Sequence, residues 1–585
     1  MTGSSETVGV LCATISTSLM FSHLAEFAKR VKLSGTAEEL ESFRYLKAVL
    51  DGYGYVTSLI QHDAYLSLPG RALLKVAGET PRCITHSFSR SSPVGGLTGL
   101  VVYVGQGTDQ DFTAADVKGR VVLVEGLATP AASLRASRAG ALGQIHISPD
   151  EHLHEMCVSP VWGSPDTETV HMLPSTVVLT IARSAGERIK ARIADGEPVE
   201  ATINAEIETG WRATPLLVAE LPPHGQTEGP FVLFSGHHDT WHYGVMDNGG
   251  ANAVMLEVAR IVAGRRTEWR RGLRLCFWSG HSHGRYSGSA WYADHRWQEL
   301  ERRCAVHVYV DSAGAKCNTV LADMPVCAEL KSFAREVIWE QGQQELTGLR
   351  MSRAGDQSFW GIGVPSLFMT VGEQPLGSGE NVLGSIFAGS GRKGAGFGWW
   401  WHTPDDTLDK MDEGLLGRDT RIYLHAIWAL LTSPILPLDY EAYAASLAAE
   451  LGSLRGAVEP VLDLRDVIAR VEDLAAGARA LKEQAGGSNT LDDGLANAVL
   501  MKLSRCLVPL DYTSGDRFGH DLALPQAAFP VLDPLRLLVR MPEGSEGARF
   551  AAVGAVRARN RIRSAIEEAI QIVEGFLGPN PVTRN

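Results

Sequence analysis

Apolar positions follow two rhythms along the 585-residue chain. Phe21, Leu24, Phe27 and Ala28, then Leu40, Phe43, Leu46 and Leu50, recur at the spacing of one helix face. This predicts helix, break, helix between about residues 14 and 55. Thr36 followed by Glu39 is a capping-box pattern for the second helix, and Gly52 and Gly54 end it. YVTSLIQHDAYLSL then alternates as a strand. From about 70 to 208 short β runs take over (GLVVYVG, GRVVLVEG, GQIHIS, STVVLTI), with one helix expected from Ala131 to Ala139. From about 214, LLVAEL, FVLFSG, LRLCFWSG and AVHVYVDS are continuous apolar runs, the mark of strands buried on both faces. A helix from Ala251 to Ala263 lies among them, which predicts a layered α/β domain. Beyond about 440, DLRDVIARVEDLAAGARALKEQ and RNRIRSAIEEAIQIVEGFL predict a helical bundle with an irregular middle, TSGDRFGHDLALPQAAFPVLD. The Gly-rich GSGENVLGSIFAGSGRKGAGFG reads as a loop.

The expected fold is therefore α/β: a mixed central sheet with flanking helices, a β-rich insert and a C-terminal helical domain. The changes of rhythm divide the chain at 1–69, 70–208, 209–437 and 438–585. A formal net charge of −13 argues against a phosphate-driven nucleic-acid partner. No run of 18 uncharged apolar residues appears, so no membrane span is expected, and the start lacks a basic leader. The eight cysteines are scattered without C-x-x-C, which points to a reducing compartment. A cytoplasmic protein is the expectation.

Candidate chemistry gathers at strand ends. FVLFSG delivers His237, Asp239 follows two residues on, and Asp247 opens the next helix. AVHVYVDS ends at Asp311, His402 precedes a turn in WWWHTPDDTLDKMD, and Asp356 sits in a loop running into a strand. Ligands of open α/β sheets bind at the carboxyl ends of strands, and imidazoles with carboxylates suit Zn2+. Each position alone reads equally as a polar turn; the ordered set does not. His242 and Tyr243, Arg285 and Trp401 are candidate substrate contacts.

The order GHHD, MDNGGANA, VDS and WHTPDDTLDKMD resembles the co-catalytic zinc aminopeptidase family. DVKGRVVLVEG, SRAGALGQIHIS and LPSTVVLTIA are similar to its protease-associated insert. DRFGHDLALPQAAFP is similar to the tail of the glutamate carboxypeptidase and transferrin receptor branch. The resemblance implies one or two Zn2+ ions per chain. His237 and Asp311 would hold one, Asp247 would bridge, His402 would hold the other, and Asp239 would orient His237. It implies hydrolysis of an amide in a small-molecule or short peptide-like substrate, a homodimer through the C-terminal helices, and a tail residue, His520, near the site. The branch's lysine–tyrosine pair is not visible in this tail, which counts against a terminal-glutamate substrate.

One departure stands out. Two adjacent glutamates, a general base and a zinc ligand, are expected where this chain reads CFWSGHSHGRYSGSAWYAD. His281 as proton shuttle and His283 as ligand would preserve a modified site, since an imidazole does either job near neutral pH. The alternatives are another metal-dependent reaction, such as a lyase, or a catalytically inactive binding protein like the transferrin receptor.

Overall fold

A computed structural model of the chain describes residues 5–377, 392–486 and 493–577. Most of the Gly-rich segment expected as a loop (378–391) lies outside them. The first helices are Ser5–Cys12, Thr17–Phe27 and Ala37–Gly52. Thr36 caps the third, accepting from Glu39 N at 3.4 Å, while the Glu39 carboxylate reaches one residue further back, to Gly35 N at 2.7 Å. Val8, Leu11, Met20, Leu24, Phe27, Phe43, Leu46 and Leu50 are all buried, so these helices serve the core. Among the described residues no single helix is long and apolar enough to cross a membrane.

Eleven strands of the described residues join in one mixed sheet. Its backbone is a two-stranded ribbon, Val56–Val76 antiparallel to Glu200–Leu221. Both strands run straight through residues 69 and 208, with one register shift between Pro69 and Ala72. The ribbon thus carries the later strands of the sheet at one end and the β-rich insert at the other. In the insert, Leu97–Tyr103, Val121–Glu125, Gly143–Ile147 and Val177–Ile181 lie parallel in that order. The helix expected from Ala131 spans Pro130–Arg138, capped by Thr129.

Beyond the ribbon, Gly272–Trp278, Phe231–His237 and Cys304–Tyr309 are parallel neighbours, every residue of them buried. Helices Ala251–Ala263 and Glu413–Thr432 cover one face, with Val232, Phe234, Val254, Val258 and Tyr423 in a shared core. Leu233, Cys276 and Trp278 face the other side, in a core with Tyr292, Phe359 and Trp360. Fully burying such side chains contributes about 1.5–3 kcal/mol each.

Helices Tyr440–Val458, Arg465–Gly486, Asp493–Tyr512, Asp533–Arg540 and Glu546–Leu577 form the C-terminal part, and residues 513–529 between the third and fourth are irregular. They share the α/β domain's core. Arg353 donates to the tail carbonyls of Asp521 and Leu522, and Ala523 N donates to Pro160 O of the insert at 2.7 Å, so three regions meet there. A cavity of about 660 Å3 lies under the last helix, lined by Lys502, Arg505, Cys506, Arg517 and Arg561 among others, none of them a site candidate.

One buried carboxyl at this junction makes a pH prediction. Glu329 is 1% exposed, neither carboxyl oxygen has a hydrogen-bond partner, and burial pushes its pKa up to about 8. An unfolded glutamate titrates near 4.3. Between those values the native state holds a proton that the unfolded state has released. Stability from this site is therefore full at low pH and falls as pH rises to about 8. Glu329→Gln should melt like the wild type at about pH 4 and below and progressively higher than it toward pH 8–9. A difference in melting temperature that stays flat across that range would refute the assignment.

Candidate metal centre

Three parallel strands end at the same edge, and each end supplies a polar side chain. His237 closes its strand in register with Trp278, three residues before His281; Tyr309 pairs near the same end, two residues before Asp311. The chain turns after Trp278 through Gly280, whose φ is +75° and where an added Cβ would meet Ser287 Oγ at 2.0 Å. A short helical turn, His281–Gly284, follows. Donor atoms of His237, His281 and Asp311 lie within 4.8 Å of one another.

Asp247 joins this group to His402. Its Oδ1 faces His237 Nε2 at 3.0 Å and its Oδ2 faces His402 Nε2 at 3.0 Å. Asp311 Oδ1 is 3.6 Å from His237 Nε2. His237 Nε2 and Asp247 Oδ1 are buried and lack hydrogen-bonding alignment, the arrangement of two donors that face a common centre.

All four histidines are anchored through Nδ1. His237 Nδ1 donates to Asp239 O at 2.9 Å, and His402 Nδ1 to Glu155 O at 2.6 Å. His281 Nδ1 donates to Asp356 Oδ2 at 2.8 Å. Ser34 Oγ donates to Asp239 Oδ2 at 2.7 Å and lies 2.9 Å from His283 Nδ1, and Ser34 N donates to that same nitrogen at 3.4 Å. In its neutral form a ring that donates through Nδ1 leaves Nε2 free, and the Nε2 of His283 is buried with no partner. Metal-binding histidines are oriented in this way, through the second ring nitrogen. The donors present therefore fit a divalent ion such as zinc.

The electrostatics differ from ring to ring. Burial opposes charge on His237, but Asp311 and Asp247 outweigh it and hold its pKa well above the ordinary value. Burial lowers His402 against the pull of Asp247, and takes His283 down to about 4. Burial would raise Asp247 and Asp356, but their histidine partners hold both below the ordinary range. The carboxylates thus stay charged and His283 stays neutral, the forms that bind metals.

Supporting residues come from distant segments. Asp406, pushed up to about 7 by burial, accepts from Met246 N at 2.8 Å and Asp247 N at 3.0 Å. Buried Lys32, lowered by burial to about 8, donates to the carbonyls of Tyr243 and Phe27. His402 has a left-handed φ of +57°, a strained state for a non-glycine residue. The insert clamps it there: Glu155 N donates to His402 O at 3.0 Å, and His154 Nδ1 donates to Trp401 O at 2.6 Å.

The sequence candidates divide. His237, Asp247, Asp311, His281 and His402 converge, and His283, held by Ser34, lies in the same short turn as His281. Asp239 orients His237 through its main-chain carbonyl rather than its carboxylate, which instead accepts from the N–H groups of His281 (3.3 Å) and Ser282 (2.9 Å) and so holds the turn. Trp401 stacks on His402 at 3.4 Å, and His242, lowered to about 4 by burial and by His402, lies beside it. Of the other three substrate-contact candidates, Arg285 and His520 are engaged elsewhere. Tyr243 is 42% exposed. Arg285 donates to the insert carbonyls of Cys157 and Ser159. His520 pairs with Asp294 on an outer helix at 3.0 Å. Sequence reasoning assigned no role to Ser34, Glu155, Tyr309, Asp356 or Asp406. Only Asp406, inside the His402 motif, and Asp356, near a strand, carried any signal.

Parallel strand ends that gather His237, His281 and Asp311, with Asp247 linking them to His402, define a candidate metal-binding edge of an α/β domain. Residues 217–427 match the profile of Peptidase family M28. The probable glutamate carboxypeptidase AMP1 of Arabidopsis thaliana is 22% identical over 605 residues, covering 87% of this chain and 82% of that protein. Two solved structures share the fold. BSAP, a zinc aminopeptidase from Bacillus subtilis, has a TM-score of 0.54 at 19% identity, covering 72% of this chain and 96% of its own. A peptidase M28 precursor from Shewanella amazonensis SB2B has a TM-score of 0.58 at 17% identity, covering 74% and 98%.

Proposed function

We propose that this chain is a metal-dependent hydrolase of an amide bond in a small, peptide-like substrate, with Zn2+ as its ion and with His281 and His283 in place of a glutamate pair. The observation that carries the reading is the cluster of His237, His281 and Asp311, with Asp247 facing His237 and His402 at 3.0 Å and these three histidines each anchored through Nδ1. His237 and Asp311 would hold one ion, His402 and His283 a second, and Asp247 both. When bound, zinc supplies Lewis-acid polarisation and lowers the pKa of water.

The remaining work falls to the protein. His281 presents a basic Nε2, and Asp356 beside its Nδ1–H steadies the imidazolium formed when it takes a proton. Asp406 and Lys32 hold the loop that carries Asp247, and the insert keeps His402 in place. The carboxylates repel a negatively charged group unless it meets the ion directly, so the scissile amide itself is the part of the substrate suited to this edge.

A second reading of one residue rests on geometry: His281 lies close enough to His237 and Asp311 to be a third ligand of the first ion. Metal analysis of purified variants, with hydrolysis of aminoacyl anilides and dipeptides, separates the cases. His402→Ala should lose about one metal per chain and the activity; unchanged stoichiometry would remove it from the ligand set. His281→Ala should keep the metal and lose turnover, and loss of metal would make it a ligand. His283→Ala should do the reverse. Bound metal without hydrolysis would favour a lyase-type reaction, and no bound metal a binding protein.

A further inference from the structure

His281 is held by a buried network that no sequence motif announces. Asp356 is fully buried and both carboxylate oxygens are used. Oδ2 accepts from His281 Nδ1 at 2.8 Å and from the Tyr309 hydroxyl at 3.0 Å; Oδ1 accepts from Ser289 Oγ at 2.7 Å. Ser289 Oγ is also 2.8 Å from Ser358 Oγ, which accepts from the insert's Trp162 Nε1 at 2.9 Å. The Tyr309 hydroxyl lies 3.1 Å from Asp311 Oδ2 as well, so one phenol touches both the anchor of His281 and a candidate ligand. On its open side the His281 ring stacks on His237, with centroids 3.7 Å apart and planes 12° apart.

A carboxylate buried without a facing Lys or Arg is costly unless its lone pairs are filled. Here three donors fill them, and they come from three segments that meet only in the folded chain. The ring can rotate neither toward Asp311 nor away from it without breaking the 2.8 Å bond or the stack.

We propose that Asp356, assisted by Tyr309, is the positioning residue that fixes the Nδ1–H tautomer of His281 and aims its Nε2 at the metal group. The proposal deepens the reading of His281 as a working imidazole and rests on it, whether that ring takes a proton or binds the ion. Asp356 itself touches neither metal nor substrate. An amide at such a site keeps the shape but selects the wrong tautomer. Ser289 and Tyr309 both donate toward position 356. Asn at 356 can turn its oxygen to only one of them, and its NH2 then faces the other side. With the oxygen kept on Ser289, that NH2 meets His281 Nδ1 and moves the ring proton to Nε2.

The test is 15N-histidine NMR on the full chain, with His281→Gln used to assign the signal, together with zinc affinity by competition against a chelator. In the wild type, before zinc is added, His281 should show the Nδ1–H pattern. Asp356→Asn should shift it toward Nε2–H with the melting temperature close to wild type; zinc affinity should stay near wild type where His281 moves a proton and weaken about 10- to 100-fold, the usual loss for such a partner, where it binds the ion. Tyr309→Phe should shift the tautomer in the same direction by less, and serves if Asp356→Asn does not fold. An unchanged tautomer with unchanged zinc affinity in Asp356→Asn overturns the proposal, as does an Nε2–H pattern in the wild type. The tautomer is read without substrate or metal. A wild type that hydrolyses nothing but shows the expected shift therefore sinks the hydrolase reading alone.

Discussion

Asp247→Ala is expected to lower hydrolysis by about three orders of magnitude or more, equivalent to about 4 kcal/mol at about 1.36 kcal/mol per decade, and to reduce bound metal at both positions. No other side chain faces two of the candidate ligands at 3.0 Å, one with each oxygen, among the described residues. Its charge is also one of the forces holding His237 above and His402 against their ordinary titration. Removing it leaves two buried imidazoles without the carboxylate between them. Asp247→Asn separates charge from shape: Asp406 still accepts the main-chain N–H of residue 247, so the loop should hold while metal is lost. Metal content by mass spectrometry and turnover of a dipeptide, measured on the same preparation, check both. Wild-type metal content in Asp247→Ala would dismiss the shared-carboxylate geometry.

The second large effect concerns the docking of the helical tail. Arg505→Met should lower stability by about 3 kcal/mol, the scale for removing one partner from a buried charged contact. Arg505 is 7% exposed, and its guanidinium donates to the carbonyls of Glu301 (2.7 Å), Gly363 (2.7 Å) and Cys304 (2.6 Å). These acceptors lie in or beside the strand Cys304–Tyr309 that leads to Asp311. Met fills most of the volume but satisfies none of the carbonyls. A calorimetric scan should show an earlier transition, and hydrogen exchange should rise along residues 300–306. A wild-type melting profile would mean that solvent from the adjoining cavity replaces the guanidinium.

How far the site could be read from residues differed by residue. His237 and Asp311 were visible because each ends a run of apolar residues that can only be a buried strand. His402 and Asp247 were visible through local motifs. The capping pair Thr36 and Glu39 appeared at the expected place, with one arm shifted to Gly35. The domain changes of rhythm near 70 and 208 fall inside two long strands, because hydrophobic alternation shows which face is buried and not which sheet a strand enters. Asp239 was assigned to His237 on spacing, and the fold gave its carboxylate to the His281 turn instead.

By itself the sequence determined the α/β layering, the helical tail, the β-rich insert and the strand ends that carry the imidazoles and carboxylates, since side-chain period and apolar runs are local properties of the chain. Only the tertiary structure decided which polar atoms meet: Asp247 with His402, His281 with Asp356, His283 with Ser34, and His402 with the carbonyl of Glu155 from the insert. Those pairings join segments tens to hundreds of residues apart. A buried polar atom takes whichever partner the packed core brings within 3 Å, and no periodicity along the chain records that choice.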